Sequence, residues 1–156
     1  MHQRTQSIVA FLIFLALAFA AAGFGALFPP GEWYAGLNKP SWNPPSWLFG
    51  PVWTVLYVMI ATAGWRIWQR FGLDAKPALA FWGVQMVLNA LWSWLFFGLK
   101  QPAPAFAEII ALWLAIAATI HLFWRRDRVS GLLLVPYLLW VSFASLLNFT
   151  LWQMNP

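Results

Sequence analysis

The chain has 156 residues, of which 62% are hydrophobic, 19% aromatic and only 8% charged, with a formal net charge of +5. A soluble domain carries roughly a quarter charged residues, so this chain has too little polar surface to cover a soluble particle and reads as a membrane protein. The basic residues stand at segment ends and form no stripe, which excludes nucleic acid as a partner. The absence of Cys excludes disulfides, thiol chemistry and thiolate metal sites. One small domain's worth of chain fits a single helical bundle spanning residues 1–156.

The first apolar segment runs from Ser7 to Phe28 without a charge. About twenty residues at 1.5 Å each cross a hydrocarbon core of ~30 Å. Ala20, Ala21 and Ala22 resemble a signal cleavage site, but the apolar run is long for a signal h-region, so the helix is expected to be retained. Ala16, Ala20, Ala21, Ala22, Gly25 and Ala26 supply small residues that let helix backbones approach, inside the bundle or on a dimer face.

Pro29, Pro30 and Gly31 stop this helix. The loop over residues 29–50 is unusually aromatic. The stretch WYAGLNKPSWNPPSWLFGPVWTVLY holds Trp33, Trp42, Trp47 and Trp53, four of the thirteen tryptophans. A surface connection has no need of such side chains, so the loop is expected to fold back as a lid, with Trp33, Tyr34, Pro40 and Trp42 as lid residues. A second segment covers residues 51–70, with Pro51 expected in its first turn, where a missing N–H costs nothing. Arg66 and Arg70 can snorkel to the interface. Further segments cover 77–99, 104–124 and 129–152, the last interrupted only by Pro136.

The fold expected is therefore an all-α integral membrane bundle of five transmembrane helices, with an aromatic lid between the first two. Five crossings place the termini on opposite sides. Seven of the nine basic residues (Arg4, Arg66, Arg70, Lys76, Arg125, Arg126, Arg128) then share one side, and Lys39 and Lys100 the other. The positive-inside rule puts the N-terminus in the cytoplasm of a bacterial cell, and the loop and C-terminus outside. The charge asymmetry does not decide between an inner and an outer membrane.

Polar and aromatic residues at depth carry the functional signal. Gln85, Asn89, Trp92 and Phe96 lie at i, i+4, i+7 and i+11, which is one helical face. Tyr137, Trp140, Ala144 and Asn148 recur in the same way, with Leu147 alongside and a hollow expected at Ala144. Trp53 and Tyr57 add an i, i+4 pair. Together these form an aromatic cavity with a few amides, suited to a flat, largely apolar ligand. Trp65, Trp68, Trp124 and Trp152 stand near segment ends and suit interfacial belts. Glu108 is expected in the first turn of its helix as a capping or interfacial charge rather than an acid catalyst. His121 has no companion ligand at a useful spacing, and no metal site, catalytic dyad or triad, or phosphate loop is expected.

The loop stretch, QMVLNALWSWLFFG and VPYLLWVSFASLLNF together resemble the translocator protein family, also called tryptophan-rich sensory proteins, TspO/MBR, or peripheral-type benzodiazepine receptors. The match covers most of the chain, from about Phe28 to Asn155, in the right order and spacing. The resemblance implies five transmembrane helices, frequent homodimers, and roles in tetrapyrrole regulation and stress responses. It also implies binding of protoporphyrin IX, haem and benzodiazepine-type drugs as ligands, with no required cofactor. Its pocket positions fall on Trp53, Tyr57, Asn89, Trp92, Phe96, Trp140, Ala144, Leu147 and Asn148. Bacterial members are similar in degrading protoporphyrin IX in light, and Trp53 and Trp140 match the tryptophans involved, which leaves an enzyme-like photochemical role open. A porphyrin or sterol transporter is the remaining alternative. Sterol binding is disfavoured, because Phe149 stands where the family's proposed cholesterol motif has Tyr, and no Lys or Arg follows Tyr137.

Overall fold

The computed structural model describes residues 1–156, and the chain is all helical. The elements are α1 (His2–Ala26), a short α2 (Gly31–Ala35), α3 (Ser46–Phe71), α4 (Lys76–Ser93), α5 (Pro102–Trp124) and α6 (Arg128–Met154). A 3-10 turn over Gly72–Ala75 joins α3 to α4, and a π-helical turn over Trp94–Gly98 ends α4.

Four uninterrupted helical stretches are long and apolar enough to cross a membrane. One of them, Ser46–Gly98, has 53 residues. Straight, it would reach roughly 80 Å, far beyond a hydrocarbon core of ~30 Å. It does not run straight. Gly72 takes φ +52°, a region that favours glycine, and the chain reverses there. Tyr57 then meets Asn89 and Trp82 meets Ile60, so α3 and α4 run antiparallel and the bundle has five legs. The legs pack in a ring, α1 on α3, α3 on α6, α6 on α5, α5 on α4 and α4 back on α1.

Several boundaries differ from those expected. α1 starts at His2, ahead of Ser7, because Thr5 Oγ1 donates to the Met1 carbonyl and Gln6 bonds His2, completing a polar first turn. Pro51 does not open α3. It lies one turn inside, and extended Pro45 is the N-cap. The missing N–H at Pro51 removes a single ladder bond to Trp47 close to the helix start, where proline is cheapest. Pro136 likewise leaves α6 continuous. α5 begins at Pro102 rather than residue 104, which carries Glu108 beyond the first turn.

The small residues of α1 divide, with Ala21 buried and Ala22 and Gly25 half-buried, whereas Ala16, Ala20 and Ala26 are exposed. Ala18 and Ala21 are the buried residues of α1. A Cβ on Gly64 would lie 2.9 Å from both the Phe14 ring and Trp82 Nε1, so glycine permits the close approach of α1, α3 and α4. A Cβ on Gly25 would meet Ser93 Oγ at 3.1 Å, so this residue too faces a neighbouring helix rather than a dimer surface.

At the basic end of the bundle, Asp127 caps α6 and is buried. Arg66 Nε donates to its Oδ2 at 3.0 Å, Arg66 Nη2 to Oδ1 at 3.4 Å, and Arg70 Nη1 to Oδ1 at 3.5 Å. Ser130 Oγ donates to Oδ2 as well. The carboxylate thereby ties the end of α3 to the start of α6. Burial alone would raise its pKa, but the bonds from Ser130 and Arg66 and the charges of Arg66 and Arg70 outweigh burial and hold it below the ordinary aspartate range. A lowered pKa stabilises the fold above the unfolded aspartate value of ~3.9, and the contribution fades as pH falls through the folded value. Asp127→Asn is expected to cost about 1–3 kcal/mol at neutral pH. In detergent this reads as a lowered Tm, and the gap to wild type should narrow near pH ~3. A gap that stays constant across that range would show that the charge does not hold the clamp.

Candidate functional site

The opposite end of the bundle is aromatic. α2 and the turns up to Pro45 lie across the ends of α4 and α6. Trp33 meets Phe96 edge-on with centroids 5.6 Å apart, Tyr34 meets Phe97 at 5.6 Å, and Trp42 meets Phe143 at 5.8 Å. Phe49, in the first turn of α3, meets Trp140 at 5.9 Å. The backbone of this connection is also tied down. Asn38 N donates to Asn155 Oδ1 at 2.8 Å, and Asn155 Nδ2 returns a bond to the Asn38 carbonyl at 2.9 Å, so the loop is clasped to the end of α6. Lys39 Nζ donates to the carbonyls of Ala35 and Leu37 and lies over the Tyr34 ring. Trp47 takes no part and is 72% exposed, facing away from the bundle.

Beneath the loop, the expected pocket residues fall into two connected groups. In the upper group, Trp92 stacks on Phe96 with centroids 5.0 Å apart and an interplanar angle of 22°. Phe96 and Leu147 share a small buried cluster, with Trp33, Tyr34 and Trp92 packed against it. Trp92 Nε1 donates to Asn148 Oδ1 at 2.9 Å, and Asn148 Nδ2 donates to the Pro102 carbonyl at 2.9 Å, which joins α4, α6 and the start of α5.

The lower group is a directed hydrogen-bond chain. Tyr57 donates its hydroxyl to Asn89 Oδ1 at 2.8 Å, and Asn89 Nδ2 donates to the Tyr137 hydroxyl at 2.9 Å. That hydroxyl donates onward to Gln85 Oε1 at 2.8 Å, and Gln85 Nε2 ends the chain on the Trp82 carbonyl at 2.9 Å. Four polar side chains from α3, α4 and α6 therefore satisfy one another where no water is at hand. Trp53 packs beside the chain, 5.5 Å from Tyr57 and 6.2 Å from Tyr137 between ring centroids. Trp92 and Ala144 are half-buried against the main core, as is Trp140.

Beside Asn43 Oδ1 in the loop, two groups beneath it are buried without a partner. One is Trp140 Nε1 and the other is the Glu108 carboxylate. Glu108 is thus no capping charge. It lies inside α5, on the face that holds buried Ala105, Ile109 and Leu112. His121 is exposed. Of the tryptophans expected as belts, Trp68 and Trp124 are exposed, whereas Trp65 Nε1 donates to the Ser7 carbonyl and pins α1 to α3. Two clefts lie outside the set altogether. One of about 560 Å³ is lined by Gln3, Gln6, Ser7, Trp68 and Gln69, and one of about 350 Å³ by Phe106, Ile110, Ser145, Leu146 and Phe149.

Tyr137 is the residue whose weight was underestimated from sequence. Its place on the same face as Trp140 and Ala144 was visible, but not that its hydroxyl ties α6 to both Asn89 and Gln85 of α4. Phe49, Phe97 and Phe143 were missed as contacts of the loop. Their only signal is spacing, since Phe49 lies four residues before Trp53, Phe143 three after Trp140, and Phe97 beside Phe96.

Comparison with known proteins bears on the same residues. The TspO/MBR family model matches residues 10–153. The chain is 46% identical to the tryptophan-rich sensory protein of Cereibacter sphaeroides, over 93% of this chain and 90% of that one. It is 41% identical to protein CrtK of Rhodobacter capsulatus over 97% and 96% of the two chains. It is 36% identical to the human translocator protein over 84% and 81%.

The hydrogen-bond chain makes a graded prediction. Tyr137→Phe leaves both Asn89 Nδ2 and Gln85 Oε1 without a partner, whereas Tyr57→Phe orphans only Asn89 Oδ1. Interhelical bonds in membranes average ~0.6 kcal/mol and reach ~1.7. Tyr57→Phe is expected to cost about 1 kcal/mol and Tyr137→Phe about twice that, by thermal unfolding in detergent. Equal losses would mean that the chain is not a unit.

Proposed function

The chain belongs to the TspO/MBR family of multi-pass membrane proteins, and from that premise we propose that it is a membrane receptor or sensor for tetrapyrroles such as protoporphyrin IX and haem. Benzodiazepine-type drugs occupy the same site, and the response links to tetrapyrrole regulation and stress. The observation that carries this reading is the buried, unbonded indole N–H of Trp140 within a bed of aromatic rings under a clasped loop. A buried donor without an acceptor is costly. A flat macrocycle with carboxylate side chains offers both a surface for the rings and an acceptor for the indole. Trp53, Tyr57, Asn89, Trp92, Phe96, Trp140, Ala144, Leu147 and Asn148 are the proposed contacts. Trp33, Tyr34, Pro40 and Trp42 form the lid. The protein is proposed to act as a homodimer in a bacterial membrane, with its basic end in the cytoplasm.

A second reading is light-dependent porphyrin breakdown. Trp53 meets Tyr137 edge-on, and Trp140 lies three residues further along the same helix as Tyr137, which supports both indoles facing one ligand. An indole beside an excited porphyrin can donate an electron or trap reactive oxygen without an acid–base pair. This activity would accompany binding.

Titration of protoporphyrin IX into purified protein in the dark, followed by Trp fluorescence, tests the first reading, and illumination of the same sample tests the second. Saturable quenching is expected, with affinity about tenfold weaker in Trp140→Phe, the size expected for one lost hydrogen bond to a charged acceptor. Bleaching is expected to slow in Trp53→Phe. Quenching that never saturates overturns tetrapyrrole binding. Bleaching at the wild-type rate in the Trp53→Phe, Trp140→Phe double variant overturns the photochemical role.

A further inference from the structure

Where α1 begins and α3 ends, a cleft of about 560 Å³ opens at the basic end of the bundle. Its lining is Gln3, Gln6 and Ser7 of α1 with Trp68 and Gln69 of α3. The volume falls within the ~300–1,000 Å³ of small-molecule sites. No charged side chain lines it, although seven of the nine basic residues stand at this end. Its polar groups are largely free. Gln6 Nε2 meets His2 Nε2 at 3.0 Å, but the Gln3 and Gln69 carboxamides and the Ser7 hydroxyl have no partner in the protein. The two walls are fixed beside the cleft. Trp65 Nε1 donates to the Ser7 carbonyl at 3.1 Å, and Phe11 meets Trp65 edge-on with centroids 5.3 Å apart, which pins α1 to α3. A ligand therefore finds the cleft preformed.

The lining selects by chemistry. An anion needs a cation to receive it and a cation needs a carboxylate, and the cleft offers neither. A carboxamide carries two N–H donors and a carbonyl acceptor, which matches hydroxyl groups that both donate and accept. Three carboxamides and a serine hydroxyl suit a molecule with several hydroxyls. Trp68, 37% exposed, adds an aromatic face whose negative quadrupole attracts the weakly positive C–H face of a sugar ring. The depth is that of lipid headgroups. Trp68 stands two residues before Arg70 at the end of α3, and from Ile8 and Val9 onward α1 exposes apolar side chains. We propose that this cleft binds the uncharged glycosyl headgroup of a membrane glycolipid, whose acyl chains run along the exposed apolar surface of α1. The site lies at the opposite end of the bundle from the loop and does not depend on the function of the aromatic region there.

The test is native mass spectrometry of the full chain released from an ethylene-glycol-headed detergent, which brings no sugar of its own. Three lipids with the same dioleoyl chains are compared, a monoglucosyl diacylglycerol, phosphatidylcholine and phosphatidic acid. One glucolipid is expected to bind about tenfold more tightly than phosphatidylcholine, the size of two ordinary hydrogen bonds. The Gln3→Ala, Gln69→Ala double variant should remove that preference, and Trp68→Ala should reduce it. Thermal stability should stay at the wild-type value in the double variant, because neither amide bonds to the protein. Phosphatidic acid is drawn by the basic residues, and its binding should not change. Equal binding of glucolipid and phosphatidylcholine by wild type overturns the site, and this comparison decides alone if a variant does not fold. A preference that survives in both variants also overturns it. So does a double variant that loses glucolipid and phosphatidic acid together, since that marks a general lipid contact. Methyl glucoside, the head without its chains, should not displace the glucolipid at matching concentration. If it does, the ligand is a soluble sugar and the lipid assignment falls.

Discussion

In hydrocarbon a polar side chain has only other protein atoms to bond with, and the Tyr57–Asn89–Tyr137–Gln85 chain turns that constraint into a fold determinant. Apolar packing alone cannot choose among helix arrangements in lipid, because lipid tails are as apolar as Leu. A tyrosine hydroxyl that must meet an asparagine on one helix and a glutamine one turn away sets the register of α6 against α4. The Tyr57 bond then sets α3 against both. The central volume of the bundle is consequently polar at one level and aromatic around it. Trp53, Tyr57 and Asn89 are therefore structural members and proposed ligand contacts at once.

The two ends of the bundle are held by different physics. At the basic end, Asp127 gathers Arg66, Arg70 and Ser130, and its carboxylate joins α3 to α6 through charge. At the other end, neutral contacts do the holding, through Asn38 and Asn155 and the edge-to-face pairs of Trp33, Tyr34 and Trp42. Neutral bonds at a membrane surface compete with water and are individually weak. Charge-assisted bonds to a buried carboxylate are stronger. The basic end is therefore the more firmly held of the two.

Much of this was readable from sequence because helical periodicity survives in lipid. The i, i+4, i+7, i+11 set Gln85, Asn89, Trp92 and Phe96 does share a face, and uncharged runs do locate the legs. Helix starts were read less well. Pro51 was taken as a helix start, yet it lies inside α3 at the cost of one backbone bond, as Pro136 lies inside α6 where the sequence placed it. Glu108 was misread for a related reason. Placing the start of α5 at residue 104 rather than Pro102 turned an inward-facing residue into an apparent cap. Contacts between distant segments, such as Asn38 with Asn155 or Arg66 with Asp127, have no local pattern, because nothing near either residue encodes its partner.

The closed arrangement also bears on how a ligand binds. Tyr57, Phe96, Leu147 and Asn148 are buried, and Asn89 and Asn148 already have partners within the protein. In the proposed site a ligand would have to exchange protein contacts for its own, which lowers its observed affinity. The contacts nearest the loop are the Asn38–Asn155 clasp and the edge-to-face ring pairs, at the opposite end from Asp127. Trp140 Nε1 is different, because it has no protein partner to give up. In the proposed site a bond from it to a ligand would be gained outright and would supply differential free energy for the liganded form, whereas the amides and aromatics around it would only set its shape.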